Sequence, residues 1–133
     1  MKARITQTSS EHKIKVLLVD DQPNVRQGLR MRLALEPDIS VIGEASDGVA
    51  ALELAEKLRP DVIVMDIEMP RMDGITATQK LRALYPGMVV VILSMYGDAG
   101  TSARAKAAGV TALVEKRQGE QELLAAIRKA AKP

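Results

Sequence analysis

Three aspartates stand directly after two apolar runs of the sequence, where buried strands are expected to end. Asp20 and Asp21 follow one run, and Asp66 follows a second run that is closed by Met69-Pro70. Carboxylates in such a place lose solvation and repel one another unless a cation neutralises them. Because carboxylate oxygens suit a hard divalent ion, the three residues predict a Mg²⁺ site.

A hydroxyl and an ammonium group end two later apolar runs, at Ser94 and Lys116. A phosphoryl group arriving on a carboxylate oxygen needs its charge neutralised and its oxygens given donors. With a metal, Ser94 and Lys116 beside it, Asp66 would be a nucleophile toward phosphorus. Each residue also has an ordinary alternative: a helix cap for the aspartate pair, a turn residue for Asp66, a strand-ending hydroxyl for Ser94, and a solvated strand end for Lys116.

The hydrophobic pattern predicts the elements that would position these groups. Five short apolar runs alternate with five stretches of helical periodicity, joined by short turns. Alternating strands and helices with short connections require right-handed crossovers, and hence a parallel sheet covered on both faces. The predicted fold is an α/β three-layer sandwich with strands near 14–19, 39–44, 61–65, 88–93 and 110–114, and helices near 23–35, 48–59, 75–84, 101–109 and 119–132.

All strands of a parallel sheet end at one edge, where open α/β sheets bind ligands. The loops after four of the predicted strands would therefore bring together residues that are far apart in sequence. These residues are Asp20, Asp21, Asp66, Ser94 and Lys116.

Composition limits the function. The chain has 133 residues, 47% of them hydrophobic, which suits one domain at 14–133 preceded by a flexible basic tail at 1–13. Aromatic residues make up only 2% and the net charge is only +2, so we expect no direct nucleic-acid binding. The absence of Cys and of a long apolar run predicts a cytoplasmic protein with no membrane segment.

At the predicted sheet edge the sequence resembles the receiver domain of bacterial two-component response regulators. The resemblance runs from about Lys13 to Lys132 and is carried by four motifs together, each of them weak alone. They are Val-Leu-Leu-Val-Asp-Asp at 16–21, Met-Asp-Ile-Glu-Met-Pro-Arg-Met-Asp-Gly at 65–74, Ile-Leu-Ser at 92–94 and Val-Glu-Lys at 114–116.

The resemblance implies a phosphorylation-dependent switch with a flavodoxin-like sheet of order 2-1-3-4-5. It implies that Asp66 accepts a phosphoryl group from a sensor histidine kinase, and that Mg²⁺ is held by Asp20, Asp21, Asp66 and the backbone carbonyl of Glu68. It further implies Ser94 as the switch hydroxyl and Lys116 as the phosphate-binding lysine. Such a protein transfers phosphate only to its own aspartate and is not otherwise an enzyme.

Two positions depart from the common pattern of receivers. Arg117 stands where many have a proline, and Leu113 stands where an aromatic switch residue is usual. Because Leu113 is smaller and has no polar tip, we expect the response to phosphorylation to lie in the loop after Ser94, with Tyr96 as its aromatic reporter.

The residues around Ser94 and Lys116 are similar to the subfamily of receivers that precede a LuxR-type helix-turn-helix domain. No such domain follows Pro133, so a truncated regulator and a free-standing receiver are both open readings. In that subfamily activated receivers pair through the first and last helices. The last helix here carries small residues beside its apolar face, which predicts a homodimer on activation: Ala125, Ala126, Ala130 and Ala131.

Two other functions compete with the switch. A Mg²⁺-dependent phosphohydrolase of the haloacid dehalogenase type would use the same aspartate, but it needs a second Asp where this chain has Glu68. A receiver-like interaction module that takes no phosphate usually lacks the acceptor, the acidic pair or the lysine, and all are present here. The sequence favours the switch.

Overall fold

Each strand forms from a run rich in Val, Ile and Leu, and three of the helices begin at an aspartate that can cap them. The computed structural model describes residues 13–95 and 97–132. Its strands are β1 (Ile14–Val19), β2 (Ile39–Ala45), β3 (Val62–Met65), β4 (Val90–Ser94) and β5 (Ala112–Glu115). Its helices are α1 (Pro23–Leu33), α2 (Gly48–Leu58), α3 (Gly74–Leu84), α4 (Ala99–Ala108) and α5 (Glu120–Ala130).

The sheet confirms the predicted fold. Its strands are all parallel, in the order β2-β1-β3-β4-β5. The strand order reverses direction between β1 and β3, and such a switch point opens a crevice at the carboxyl ends of the strands. Paired residues Val19 and Met65 bring the ends of β1 and β3 side by side.

Two separate apolar cores hold the helices to the two faces of the sheet. One core joins α2, α3 and α4 to alternate residues of the strands, including Leu17 and Ile63. The other joins α1 and α5 to the intervening residues, including Leu18 and Val64. Because β1 and β3 are buried on both faces, they read as continuous apolar runs in the sequence.

Backbone hydrogen bonds at helix ends account for two of the predicted element boundaries that are wrong. The last strand begins at Ala112 and not at Val110, because the Val110 N–H donates to the Ala105 carbonyl and closes α4. The first helix ends at Leu33 and not near Leu35, since the Leu35 and Glu36 N–H groups donate to carbonyls only three residues earlier.

The loop predicted at 94–100 is shorter than expected. Ser94 belongs to β4, and Asp98 caps α4 by accepting a hydrogen bond from the Thr101 N–H at 3.1 Å.

Among the described residues, no helix is long and apolar enough to cross a membrane. The predicted tail at 1–13, except for Lys13, and the reporter residue Tyr96 lie outside the described residues.

Candidate functional site

The three predicted aspartates converge at the carboxyl edge of the sheet. Asp20 and Asp66 follow the paired ends of β1 and β3, and Asp21 begins the loop to α1. One carboxylate oxygen from each residue lies within 4.8 Å of the other two. Because all the donors are oxygens at this spacing, the residues fit a divalent ion such as Mg²⁺.

The three carboxylates differ in burial and in their hydrogen bonds. The Asp20 side chain is 4% exposed and accepts a hydrogen bond from the Gln22 N–H at 2.9 Å. The Asp66 side chain is 12% exposed and accepts one from the Ile67 N–H at 2.8 Å. Asp21 is exposed, so the site opens to solvent on its side.

Lys116 faces the buried carboxylate of Asp20 and the partly buried carboxylate of Asp66. Its Nζ lies 3.5 Å from the Asp20 Oδ2 and 3.5 Å from the Asp66 Oδ2. These distances exceed those of a charge-assisted hydrogen bond, so the ammonium neutralises the pair without bonding tightly to either oxygen. Such a lysine can still donate to a third anionic group.

A short 3₁₀ helix, Lys116–Gln118, fixes the start of the lysine side chain. The Glu115 side chain and the Gln118 side chain each bond the other's backbone in a capping box. Arg117 points to solvent and pairs with Glu115 at 3.1 Å. The arginine in place of the usual proline therefore leaves Lys116 facing the aspartates.

Burial raises the pKa of Asp66 above its usual range, because the ionised form loses solvation. The Lys116 ammonium opposes this rise, while the nearby Asp20 carboxylate adds to it. The carboxyl group of Asp66 is thus under-neutralised in this arrangement. A further cation at the cluster would favour its ionised form.

Ser94 and Glu68 occupy different positions relative to the cluster. Ser94 is buried at the end of β4, where it pairs in register with Glu115, the residue before the lysine. Glu68 is exposed and lines a cleft of about 610 Å³ together with Asp21. The predicted roles of Ser94 and of the Glu68 carbonyl remain predictions.

Arg104 of α4 also lines the cleft formed by Asp21 and Glu68. The sequence analysis missed it, since nothing in the Ala-rich segment of α4 marks one basic residue as facing a cleft.

The loop between Asp66 and α3 is held at two points that the sequence analysis also missed. The buried Asp47 carboxylate caps α2 by accepting a hydrogen bond from the Ala50 N–H, and it also accepts one from the Arg71 guanidinium. The bond from Ala50 lowers the pKa of Asp47 the most, and the bond from Arg71 lowers it further. At the end of the loop, a Cβ on Gly74 would overlap the Asp66 carbonyl oxygen. A glycine after a proline-containing turn could have indicated this close approach.

Two of the solved structures that are similar to this chain are domains of response regulators. The signal receiver domain of the response regulator NarL from Mycobacterium tuberculosis is 32% identical with a TM-score of 0.86, over 90% of this chain and 97% of that one. The response regulator domain of Thermotoga maritima CheB is 35% identical with a TM-score of 0.84, over 91% of this chain and 99% of that one.

A relative found by sequence and a family model point to the same family as the solved structures. The transcriptional regulatory protein DegU of Brevibacillus brevis is 35% identical over 119 residues, which cover 90% of this chain and 50% of DegU. This chain therefore spans about half the length of that relative. The model of the response regulator receiver domain matches residues 16–128. The chain thus belongs to the family of response regulator receiver domains, the phosphorylation-based signalling domains of two-component systems.

Proposed function

We propose that Asp66 accepts a phosphoryl group from a sensor histidine kinase, and that the phosphorylated domain passes a conformational change to an output domain or partner. The observation that carries the proposal is the meeting of Asp20, Asp21 and Asp66 with the ammonium of Lys116 at one sheet edge. The partly buried, under-neutralised Asp66 is the carboxylate in which added cationic charge would have the largest effect.

In the proposed reaction an Asp66 carboxylate oxygen attacks phosphorus. The P–N bond of the kinase phosphohistidine breaks, the electron pair leaves with the imidazole nitrogen, and an aspartyl phosphate remains. Lys116 donates to a phosphoryl oxygen, since its Nζ faces Asp66 Oδ2 and is not tightly bonded there. No separate substrate is turned over.

Asp20, Asp21, Asp66 and the backbone carbonyl of Glu68 would hold Mg²⁺. The fit rests on the all-oxygen donor set and its spacing. Bound Mg²⁺ supplies charge neutralisation for the attacking carboxylate and the phosphoryl oxygens.

Intact mass after incubation with Mg²⁺ and phosphoramidate tests the proposal. We expect a gain of one phosphoryl group in the wild type and none in Asp66→Asn. Asp61→Asn is the matched control, because Asp61 directly precedes β3 and Asp66 directly follows it, so the two residues lie at opposite ends of the strand. A gain that persists in Asp66→Asn would exclude Asp66 as the acceptor.

We further propose that Ser94 reads the phosphoryl group by drawing the loop after β4 toward it. Leu113 is partly buried against the core. Its side chain is smaller than the usual aromatic one, so a change in its rotamer would alter the structure little. Ser94→Ala is expected to accept phosphate without the amide shift changes of the loop, whereas Leu113→Ala keeps most of them. Spectra with and without beryllofluoride would distinguish the two residues.

The assembly of the domain is also a proposal. A LuxR-type DNA-binding output and pairing of activated domains through α1 and α5 are inferred from the subfamily resemblance. A cytoplasmic location is inferred from the absence of Cys and of a long apolar run. A groove of about 320 Å³ between these helices supports the pairing. Of the four small residues predicted for this contact, however, Ala126, Ala130 and Ala131 pack on the domain's own core, and only Ala125 is exposed; Ala131 lies just after the end of α5. Light scattering of the beryllofluoride form tests the pairing, and a strict monomer would contradict it.

A further inference from the structure

Arg26 of α1 reaches back to the loop that carries two of the three clustered aspartates. Its side chain is 18% exposed. Its Nη1 donates to the backbone carbonyl of Asp20 at 2.5 Å, and its Nε donates to Glu44 Oε1 at 3.2 Å. The Asp20 N–H donates to the Ala45 carbonyl at 3.1 Å. The backbone is therefore held on both sides of Asp20.

The place of Arg26 on its helix is electrostatically unfavourable without these acceptors. It lies near the N-terminus of α1, where the helix dipole repels a cation, and the first turn of α1 carries no acidic residue. The Asp20 carbonyl and the Glu44 carboxylate offset this cost. A basic residue just inside a helix that follows an acidic loop is the sequence signal that could have pointed to it.

We propose that Arg26 is a positioning residue for the divalent-cation site. By fixing the Asp20 carbonyl, it fixes the peptide plane between Asp20 and Asp21 and so directs both carboxylates toward Asp66. The inference rests on the part of the proposed function that places Mg²⁺ at these aspartates. It does not depend on whether Asp66 is phosphorylated.

The positioning role and simple electrostatics predict opposite effects. Removing a positive charge near an acidic cluster strengthens cation binding, whereas freeing the loop that carries two ligands weakens it. Arg30 provides the matched control, because it pairs with the same Glu44 one turn later on α1 and, within the described part of the chain, has no bond to the loop. Like Arg26→Met, the variant Arg30→Met removes one positive charge that pairs with Glu44.

The experiment is Mg²⁺ titration by calorimetry, with amide spectra of the metal-free protein. We expect Arg26→Met to weaken Mg²⁺ binding about tenfold, the size typical for residues that orient metal ligands. Its metal-free spectrum should show shifted Asp21 and Gln22 amides. Arg30→Met should bind Mg²⁺ as the wild type does or slightly more tightly, with those amides unchanged.

Two further variants keep the test decisive if Arg26→Met unfolds. Arg26→Lys can reach the Asp20 carbonyl but cannot bond Glu44 in the same geometry, and should recover part of the affinity. Glu44→Gln leaves the arginine bonded to the carbonyl, and should change the affinity by about twofold or less. Either wild-type Mg²⁺ affinity in both Arg26 variants, or an equal loss in Arg30→Met, would overturn the inference. Failure of the wild type to bind Mg²⁺ would overturn the metal site itself, and the inference with it.

Discussion

Two groups of charged residues in this domain use similar side chains to opposite effect. The site cluster consists of Asp20, Asp21, Asp66 and Lys116. The helix clamp, which ties α1 and the loop after it to α5, consists of Arg32, Glu36, Asp38, Glu120 and Arg128. The site cluster contains one ammonium and three carboxylates, whereas the clamp contains two guanidinium groups and three carboxylates.

The clamp is tightly bonded. Arg128 donates to both oxygens of Asp38, at 2.8 and 2.9 Å, and to Glu36 at 2.5 Å. Arg32 donates to the other Glu36 oxygen at 2.8 Å. The bond from Arg32, followed by that from Arg128, holds the pKa of Glu36 below its usual range, and Arg128 does the same for Asp38.

The site cluster is loosely bonded by comparison. Lys116 stays 3.5 Å from each of its two acids, and burial raises the pKa of Asp66 where bonds lower those of the clamp. The clamp carboxylates therefore stabilise the fold, while the ionised Asp66 destabilises it. A binding site of this kind gives up stability for an interaction that a ligand completes.

The largest expected effect concerns the Lys116 ammonium of the site cluster. Lys116→Ala should slow phosphorylation about 100-fold, the cost of removing one preorganised donor from a developing charge. Mg²⁺ affinity should stay the same or rise, because Lys116 is not a metal ligand and its positive charge lies beside Asp20 and Asp66. Mass spectrometry over time and calorimetry measure the two quantities.

Arg117→Ala is the control for this lysine, since Arg117 is the next residue and its side chain is 80% exposed. It should phosphorylate at the wild-type rate. Normal phosphorylation of Lys116→Ala would refute the role assigned to the lysine.

The sequence was sufficient to predict which chemical groups meet in the site cluster. Strand ends could be read from the apolar runs, and parallel topology then places Asp20, Asp66 and Lys116 at one edge regardless of the details of packing. The direction of long side chains could not be predicted in this way. Arg71 meets Asp47 across 24 positions of sequence, and that contact depends on how the loop before α3 packs against α2.

The helix clamp escaped the sequence analysis for the same reason. Arg128 and Asp38 are 90 positions apart, and each is an ordinary charged residue at its own place in the chain. The packing of α1 and α5 on one face of the sheet, through the second apolar core, brings the two residues together. The helix boundaries that were wrong likewise depended on caps that only the folded backbone reveals.

The second prediction concerns the stability cost of the site cluster. Without metal, Asp66→Asn should stabilise the domain by about 1 kcal/mol, as expected when an under-neutralised buried charge is replaced by a neutral group of similar shape. The variant also loses the stabilisation that Mg²⁺ gives the wild type. Chemical denaturation in EDTA and in Mg²⁺ measures both effects.

Asp61→Asn again serves as the control for this stability effect. The exposed Asp61 accepts a hydrogen bond from the Lys15 N–H at 2.8 Å, so its replacement should leave stability unchanged or slightly lower. A metal-free Asp66→Asn variant less stable than the wild type would mean that the site cluster contributes to folding as the clamp does.

The third prediction concerns the clamp and its dependence on pH. Arg128→Met keeps much of the apolar stem but removes the bonds to Glu36 and Asp38, and it should lower the melting temperature at pH 7 by a few degrees. The folded-state pKa values of both acids are lowered, so their stabilisation is present above the usual value of about 4 and is lost as the pH falls below it. The difference between wild type and variant should therefore shrink toward pH 3.

Arg117→Met removes an exposed pair with Glu115 and should have almost no effect at any pH. Melting curves at several pH values test both variants. An Arg128→Met penalty that stays constant down to pH 3 would show that its packing, and not its bonds, stabilises the clamp.

The smallest expected effect separates the physical causes in the two groups. The clamp side chains are partly exposed, so their attraction is screened by salt, and about 1 M NaCl shortens the screening length to about 3 Å. The stability penalty of Arg128→Met should therefore fall in high salt.

The cost at Asp66 arises first from burial and only then from repulsion by Asp20. Salt does not restore lost solvation, so the gain from Asp66→Asn in EDTA should persist at 1 M NaCl. Denaturation of both variants at low and high salt measures the contrast. If high salt abolished the gain from Asp66→Asn, repulsion among the aspartates and not burial would be the main cost of the site cluster.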